Sequence, residues 1–201
     1  MKVGIMGGTF DPIHNGHLAT AEAVNDALAL DRVLFIPASV PPHKRGRHIA
    51  DSFHRLAMTI LATCSHPNFH VSTVELEREG PSYAVDTVDA LKNIFPSNTQ
   101  FYFILGADAA LELHTWHNAF ELVAKCFFVA ATRQGTVFDL DAVHKNFPAE
   151  LRPHIIHVET PALEISSTDI RDKIRRRRSI KYLVPEPVER YIRKECLYLD
   201  R

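Results

Sequence analysis

Val3-Gly4-Ile5-Met6-Gly7-Gly8-Thr9-Phe10-Asp11-Pro12-Ile13-His14-Asn15-Gly16-His17-Leu18 carries the chain from a short apolar run, through a loop broken by glycines and a proline, into a stretch of helical composition. The apolar run, Val3–Met6, reads as a strand. Leu18–Leu30 is rich in alanine and leucine and holds no Gly or Pro, which favours a helix. The same alternation continues downstream. Val33–Ile36, His70–Val74, Gln100–Leu105, Cys126–Ala130 and Ile155–Val158 read as further strands. A second helix is expected from a cap at Asp51 or Ser52 to about Cys64, and a third from a cap at Ser82 to just before Pro96. Strands that alternate with helices imply right-handed crossovers and a parallel sheet covered on both faces. The run Gln100-Phe101-Tyr102-Phe103-Ile104-Leu105 fits this, because strands buried on both sides are continuously apolar rather than alternating. After Ser167 only helical period remains, over Thr168–Arg178 and Pro185–Glu195. The expected fold is therefore α/β, a Rossmann-like doubly wound parallel sheet with a helical C-terminal extension.

Composition narrows the classes. With 201 residues, 46% hydrophobic and 23% charged, the chain resembles an ordinary globular domain. One unit over 1–201 is expected, an α/β core over 1–165 and the helical extension over 166–201. A net charge of −1 argues against a general nucleic-acid binder. The run Arg175–Arg178 does not change that, because four consecutive residues point to every side of a helix. Cys64, Cys126 and Cys196 are odd in number and lack CxxC spacing, so they read as reduced thiols. The opening apolar run is too short for a secretory signal, and no window approaches the ~20 apolar residues of a membrane span. A cytoplasmic protein without a membrane partner is expected, with homo-oligomerisation left open.

In an open parallel sheet, ligands bind beyond the carboxyl ends of the strands. The loop after Met6 lies at such a place. Gly7 and Gly8 let backbone approach a ligand closely, and loop N–H groups suit phosphate oxygens. His14 and His17 stand at the positive end of the following helix, where both can donate to an anion. A dinucleotide-dependent dehydrogenase would show G-x-G-x-x-G and an acidic residue closing the second strand, which here ends Pro37-Ala38-Ser39. A Walker A loop is absent too. Metal ligation by the histidines lacks an HExxH or carboxylate–histidine cluster, so no protein-held metal is expected.

Gly7-Gly8-Thr9-Phe10-Asp11-Pro12-Ile13-His14-Asn15-Gly16-His17-Leu18 resembles the first signature of the nucleotidyltransferase superfamily, whose T/HxGH histidines contact ATP phosphates. Ile165-Ser166-Ser167-Thr168-Asp169-Ile170-Arg171 is similar to its second, ISSTxxR. A cap at Ser167 or Thr168 would begin a helix whose amides hold a phosphate, with Arg171 one turn in. Pro41-Pro42-His43-Lys44, Gly80-Pro81-Ser82-Tyr83-Ala84-Val85-Asp86-Thr87, Gly106-Ala107-Asp108, the single Trp116 and Thr132-Arg133-Gln134-Gly135 together resemble the bacterial nicotinate-nucleotide adenylyltransferase family, across essentially the whole chain.

That resemblance implies transfer of AMP from ATP to nicotinate mononucleotide, yielding nicotinate adenine dinucleotide and pyrophosphate, in NAD biosynthesis. It implies that His14 and His17 are catalytic. It assigns Gly7, Gly8, Thr9, Phe10, Lys44, Gly106, Asp108, Ser166, Ser167, Thr168 and Arg171 to ATP, and Tyr83, Thr87, Trp116 and Arg133 to the acceptor. Mg²⁺ is expected to arrive with ATP, bound mainly by phosphates and water. The chain departs from the family's usual pattern at Ala84 (commonly Thr), at His117 (commonly Tyr) and in Thr132-Arg133-Gln134-Gly135. Two other readings stay open: the same transfer to another acceptor (nicotinamide mononucleotide or a pantetheine phosphate), and a nucleotide-binding module without turnover.

Overall fold

Six parallel strands in the order β3-β2-β1-β4-β5-β6 form one sheet. The computed structural model describes residues 1–40 and 49–199. The strands are β1 Lys2–Gly8, β2 Arg32–Pro37, β3 Phe69–Val71, β4 Gln100–Gly106, β5 Phe127–Arg133 and β6 Ile155–Thr160. Helices α1 Asn15–Leu28, α2 Ser52–Thr63, α3 Ala84–Ile94, α4 Ala107–Leu111, α5 Ala119–Lys125, α6 Leu140–His144, α7 Ser167–Arg175 and α8 Glu186–Lys194 connect and cover them. This is the doubly wound order expected from strand–helix alternation. Connections run outward from β1 through β2 to β3, then return across α3 to β4 on its other side. The carboxyl ends of β1 and β4 therefore flank the topological switch point, and they carry Gly7–Gly8 and Gly106.

The sheet is dry because its central strands are apolar on both faces. Val3, Ile5, Phe101 and Phe103 belong to a buried cluster with Val85, Val88 and Leu122, under α3 and α5. Met6, Val33, Phe35 and Ile104 belong to a second with Ala21, Val24 and Met58, under α1 and α2. Ile170, Val184, Val188 and Ile192 join this second cluster. The C-terminal helices thus complete the α1/α2 face rather than trailing from it. Asn15 Nδ2 donates to Tyr182 O at 2.6 Å, and its backbone N–H to Leu183 O at 2.9 Å. His54 Nδ1 meets the Tyr191 hydroxyl at 2.9 Å, joining α2 to α8.

Several element ends differ from the sequence expectation, each for a local reason. β3 stops at Val71 because Thr73 begins a turn, its carbonyl accepting the amides of Leu76 and Glu77. α1 begins three residues earlier than its alanine-rich body suggests, because His14 and His17 cap it reciprocally. Asp51 caps α2, accepting from Phe53 N–H at 2.8 Å. Ser82 does not cap α3; its N-cap is Tyr83, with no side-chain cap bond. α7 is capped by Ser166, not Ser167 or Thr168, with Ser166 Oγ accepting from Asp169 N–H at 3.1 Å. It ends at Arg175, before Arg177 turns left-handed at φ 54°. The short helices α4, α5 and α6 were not expected, and none exceeds seven residues. Among the described residues, no helix is long and apolar enough to cross a membrane.

Ile170 is wholly buried and anchors α7. Ile170→Ala should cost about 2–5 kcal/mol in urea unfolding, as for other large-to-small core changes. A cost below about 1 kcal/mol would show that α7 is held by its polar contacts instead.

Candidate active site

Two adjoining hollows open at the switch point. One, of about 610 Å³, is lined by His14, His17, Asp108, Arg133, Arg171 and the first turn of α7. The other, of about 550 Å³, is lined by Gly8, Thr9, Glu75, Ser82, Tyr83, Trp116 and His117. Gly7 and Gly106 contribute to both.

The loop between β1 and α1 takes its shape from unusual backbone. Phe10 adopts φ 50°, a left-handed conformation rare for a large side chain. A Cβ on Gly8 would lie 2.9 Å from Phe10 Cε1, so only glycine fits there. Phe10 itself is buried and lines neither hollow; its ring supports His17 edge-on, with centroids 5.2 Å apart. The Phe10 side chain therefore buttresses a histidine rather than lining the cleft.

The histidines are fixed by each other. His17 N–H donates to His14 Nδ1 at 3.4 Å, and His14 N–H donates to His17 Nδ1 at 3.2 Å. A ring nitrogen that accepts carries a lone pair, so in each neutral ring the proton sits on Nε2. The rings stack with centroids 3.7 Å apart. Burial, with a contribution from the Arg133 guanidinium, lowers the His14 pKa to about 4. At neutral pH His14 is thus an uncharged Nε2–H donor, the form that can stabilise developing anionic charge without reorganisation.

The amino end of α7 closes this hollow from the opposite side. Ser167 Oγ donates to Pro12 O at 2.9 Å, and Arg171 Nη1 to Asp11 O at 2.7 Å. These two residues, expected to meet phosphate, also clamp the histidine loop. Arg171 Nη2 donates to Thr168 Oγ1 at 3.3 Å. Arg133, assigned by resemblance to the acceptor, stands at the end of β5 beside His14, not beside Tyr83 and Trp116. Lys44 lies outside the described residues.

The second hollow is aromatic. Trp116 packs edge-on against Phe103 with centroids 6.0 Å apart, and Tyr83 stacks on His117 at 4.3 Å. Thr87, expected to touch the acceptor, is wholly buried; its hydroxyl donates to Glu75 Oε1 at 2.7 Å. Glu75 and the Ser82 hydroxyl were missed as site residues. Nothing in Glu75-Leu76-Glu77-Arg78-Glu79 distinguishes the one glutamate that turns inward.

The parallel order and the anion-binding loop at its switch point define a nucleotide-handling α/β protein. The cytidylyltransferase-like family model matches residues 5–173, and the chain belongs to that family. Within it, the chain belongs to the nicotinate-nucleotide adenylyltransferases. A Thermoanaerobacter sp. protein named "Probable nicotinate-nucleotide adenylyltransferase" is 53% identical, the match covering 98% of this chain and 94% of that protein. A Moorella thermoacetica protein of the same name is 50% identical, covering 100% and 93%. Among solved structures, the Plasmodium falciparum nicotinic acid mononucleotide adenylyltransferase complexed with NaAD shares the fold at TM-score 0.78 and 22% identity, covering 98% of this chain and 97% of that one.

The low His14 pKa has a stability consequence. The unfolded chain binds a proton there near pH 6.5, whereas the folded one resists until about 4. His14 therefore contributes a loss of stability as pH falls from 6.5 towards 4, and none above that window. Melting temperatures measured across this range should fall less steeply for His14→Asn than for the parent. Identical slopes would show that His14 is not held neutral by the fold.

Proposed function

We propose that the chain transfers AMP from ATP to nicotinate mononucleotide, releasing pyrophosphate. One observation carries this proposal: two stacked imidazoles share a hollow with the amino end of α7 and Arg171, beside an aromatic hollow across Gly7 and Gly106. A nucleoside triphosphate and a flat pyridine nucleotide can then meet at their phosphates.

In the proposed step, an oxygen of the acceptor's 5′-phosphate forms a bond to the α-phosphorus of ATP. The bond from that phosphorus to the bridging oxygen breaks, and its electron pair leaves with pyrophosphate. The nucleophile is already anionic near neutral pH, so neither a general base nor a covalent intermediate is needed. Catalysis reduces to positioning and charge stabilisation. His14 and His17 would donate through Nε2–H to the α-phosphoryl oxygens, where charge changes most. The α7 amino end and Arg171 would hold the β- and γ-phosphates, with Lys44. Arg133, next to His14, would steady the acceptor's phosphate. Asp108 and Gly106, at the start of α4, would lie along the nucleoside of ATP.

In the aromatic hollow, Trp116 and Tyr83 would face the pyridine ring. The first-turn amides of α3 lack a side-chain cap and would receive the pyridine carboxylate. The relatives' nucleotidyl-transfer activity implies a metal ion. Among the described residues no group of three His, Cys, Asp or Glu could hold one. The donor set therefore fits Mg²⁺ carried by the triphosphate oxygens, where it would neutralise charge. Three cysteines without disulfide partners fit a cytoplasmic location.

Two measurements test this. Incubation with ATP, Mg²⁺ and either nicotinate or nicotinamide mononucleotide should give dinucleotide, fastest from the acid. Equal rates would keep the chemistry and discard the carboxylate argument; no dinucleotide and no pyrophosphate would leave a nucleotide-binding module. His17→Ala should lower kcat by about 10²–10³ with a small change in ATP affinity, as when an oxyanion donor is lost. Near-parental turnover would remove His17 from the chemistry.

A further inference from the structure

Glu75 is a charged group in an aromatic hollow, only 6% exposed, on the short turn between β3 and α3. Its partners are specific. Thr87 donates to Oε1 at 2.7 Å from within α3. Ser82 Oγ accepts the Ser39 N–H at 3.0 Å and, lining the same hollow, favours an ionised Glu75. Arg78 Nη2 reaches both Thr87 Oγ1 and Tyr83 O at 3.4 Å, and its charge also favours an ionised Glu75. Burial opposes these effects and raises the Glu75 pKa.

Thr87 thus presents its hydroxyl to a carboxylate that can accept at either oxygen, whereas an amide accepts at only one. Glu75 holds the first turn of α3 through Thr87, whose hydroxyl also lies 3.2 Å from Tyr83 O, while Ser82 ties the same turn to Ser39 after β2. Those segments carry the groups that would face the pyridine ring and its carboxylate.

We propose that Glu75 is a positioning residue for the acceptor, acting through the Thr87 hydroxyl to hold the amino end of α3 and Tyr83 in register with the aromatic hollow. This rests on the proposed function, since it concerns the acceptor of that reaction. Glu75 does not touch the reacting phosphates, so its removal should be felt in acceptor binding and not in ATP binding or the chemical step.

The variant Glu75→Gln keeps size and shape but removes the charge and one of the two acceptor oxygens. With ATP saturating, its KM for nicotinate mononucleotide should rise about tenfold, with kcat within about threefold of the parent. KM for ATP should stay within about twofold. Thr87→Val, which removes only the hydroxyl, should reproduce much of the effect, and the double variant should add little, because both act through one bond. Thr87→Val also carries the test should Glu75→Gln fail to fold. An unchanged acceptor KM, a parallel rise in both KM values, or full additivity in the double variant would each overturn the proposal. The parent enzyme run alongside separates the two levels: no dinucleotide from the parent defeats the proposed function, whereas a working parent with an unaffected Glu75→Gln defeats only this inference.

Discussion

The Asp11 carboxylate is the contact on which the His14–His17 side of the cleft hangs. It is 3% exposed, and three segments far apart in the chain converge on it. Tyr198 Oη donates to Oδ1 at 2.8 Å, and Ala50 N–H at 3.2 Å. Arg171 Nη1 lies 3.7 Å from Oδ2 while donating to the Asp11 carbonyl. Arg55, 2% exposed, donates to Thr9 O at 2.9 Å and Ala38 O at 2.7 Å, and Asp11 offsets part of its burial. Removing one partner from a buried charge network leaves the others uncompensated, which costs more than the network contributes when whole. Asp11 therefore does not merely sit beside the histidines. It joins the β1–α1 loop, α2, α7 and the C-terminal segment, so that the loop has one conformation.

That single conformation gives the histidines their chemistry. Their reciprocal caps require residues 14 and 17 to be three apart at a helix start with a sharp entry. The same caps set the tautomer, and burial sets the charge of His14. A pair of exposed imidazoles at the same spacing would titrate near neutrality and would repel each other when stacked. Positive charge in this hollow comes instead from Arg133 and Arg171, whose guanidinium groups stay charged at any working pH. Permanent cations beside a neutral His14 would let the cleft attract a triphosphate while His14 Nε2–H remains a donor.

The parts of this design that are local in sequence could be read from it. Continuous apolar runs gave the strands of the sheet, because a strand covered on both faces has no reason to alternate. The β1–α1 loop and Ser166–Arg171 carried the phosphate side, because glycines, helix caps and flanking histidines act over a few residues. Parts made by tertiary contact could not be read. Thr87 has the residue type of a ligand contact, but its hydroxyl is committed to Glu75. Ser82 has the residue type of a cap, yet it bonds across to Ser39. Phe10 sits within the signature but turns into the core. The short helices α4 to α6 lack the length for periodicity to show. In each case the residue type was a fair guide to the kind of bond made, and gave no information about the partner.

This division follows the two substrates. The phosphate side can be built from a loop and a helix end because phosphates are recognised by amides, imidazoles and guanidinium groups held at fixed local spacing. A pyridine ring bearing a carboxylate or an amide has to be recognised by shape and by a few directional groups. Here those groups come from the end of β2, the turn before α3 and the segment at 115–117. None of these elements is rigid by itself: β3 is three residues long, and α3 begins without a side-chain cap. The wall is tied together by the Thr87 bond to the buried Glu75 carboxylate and the Ser39–Ser82 bond. Asp11 and Glu75 thus play parallel parts, each an inward-turned acid that fixes the backbone around one compartment. Gly7 and Gly106, common to both hollows, leave open the passage through which the two phosphates would meet.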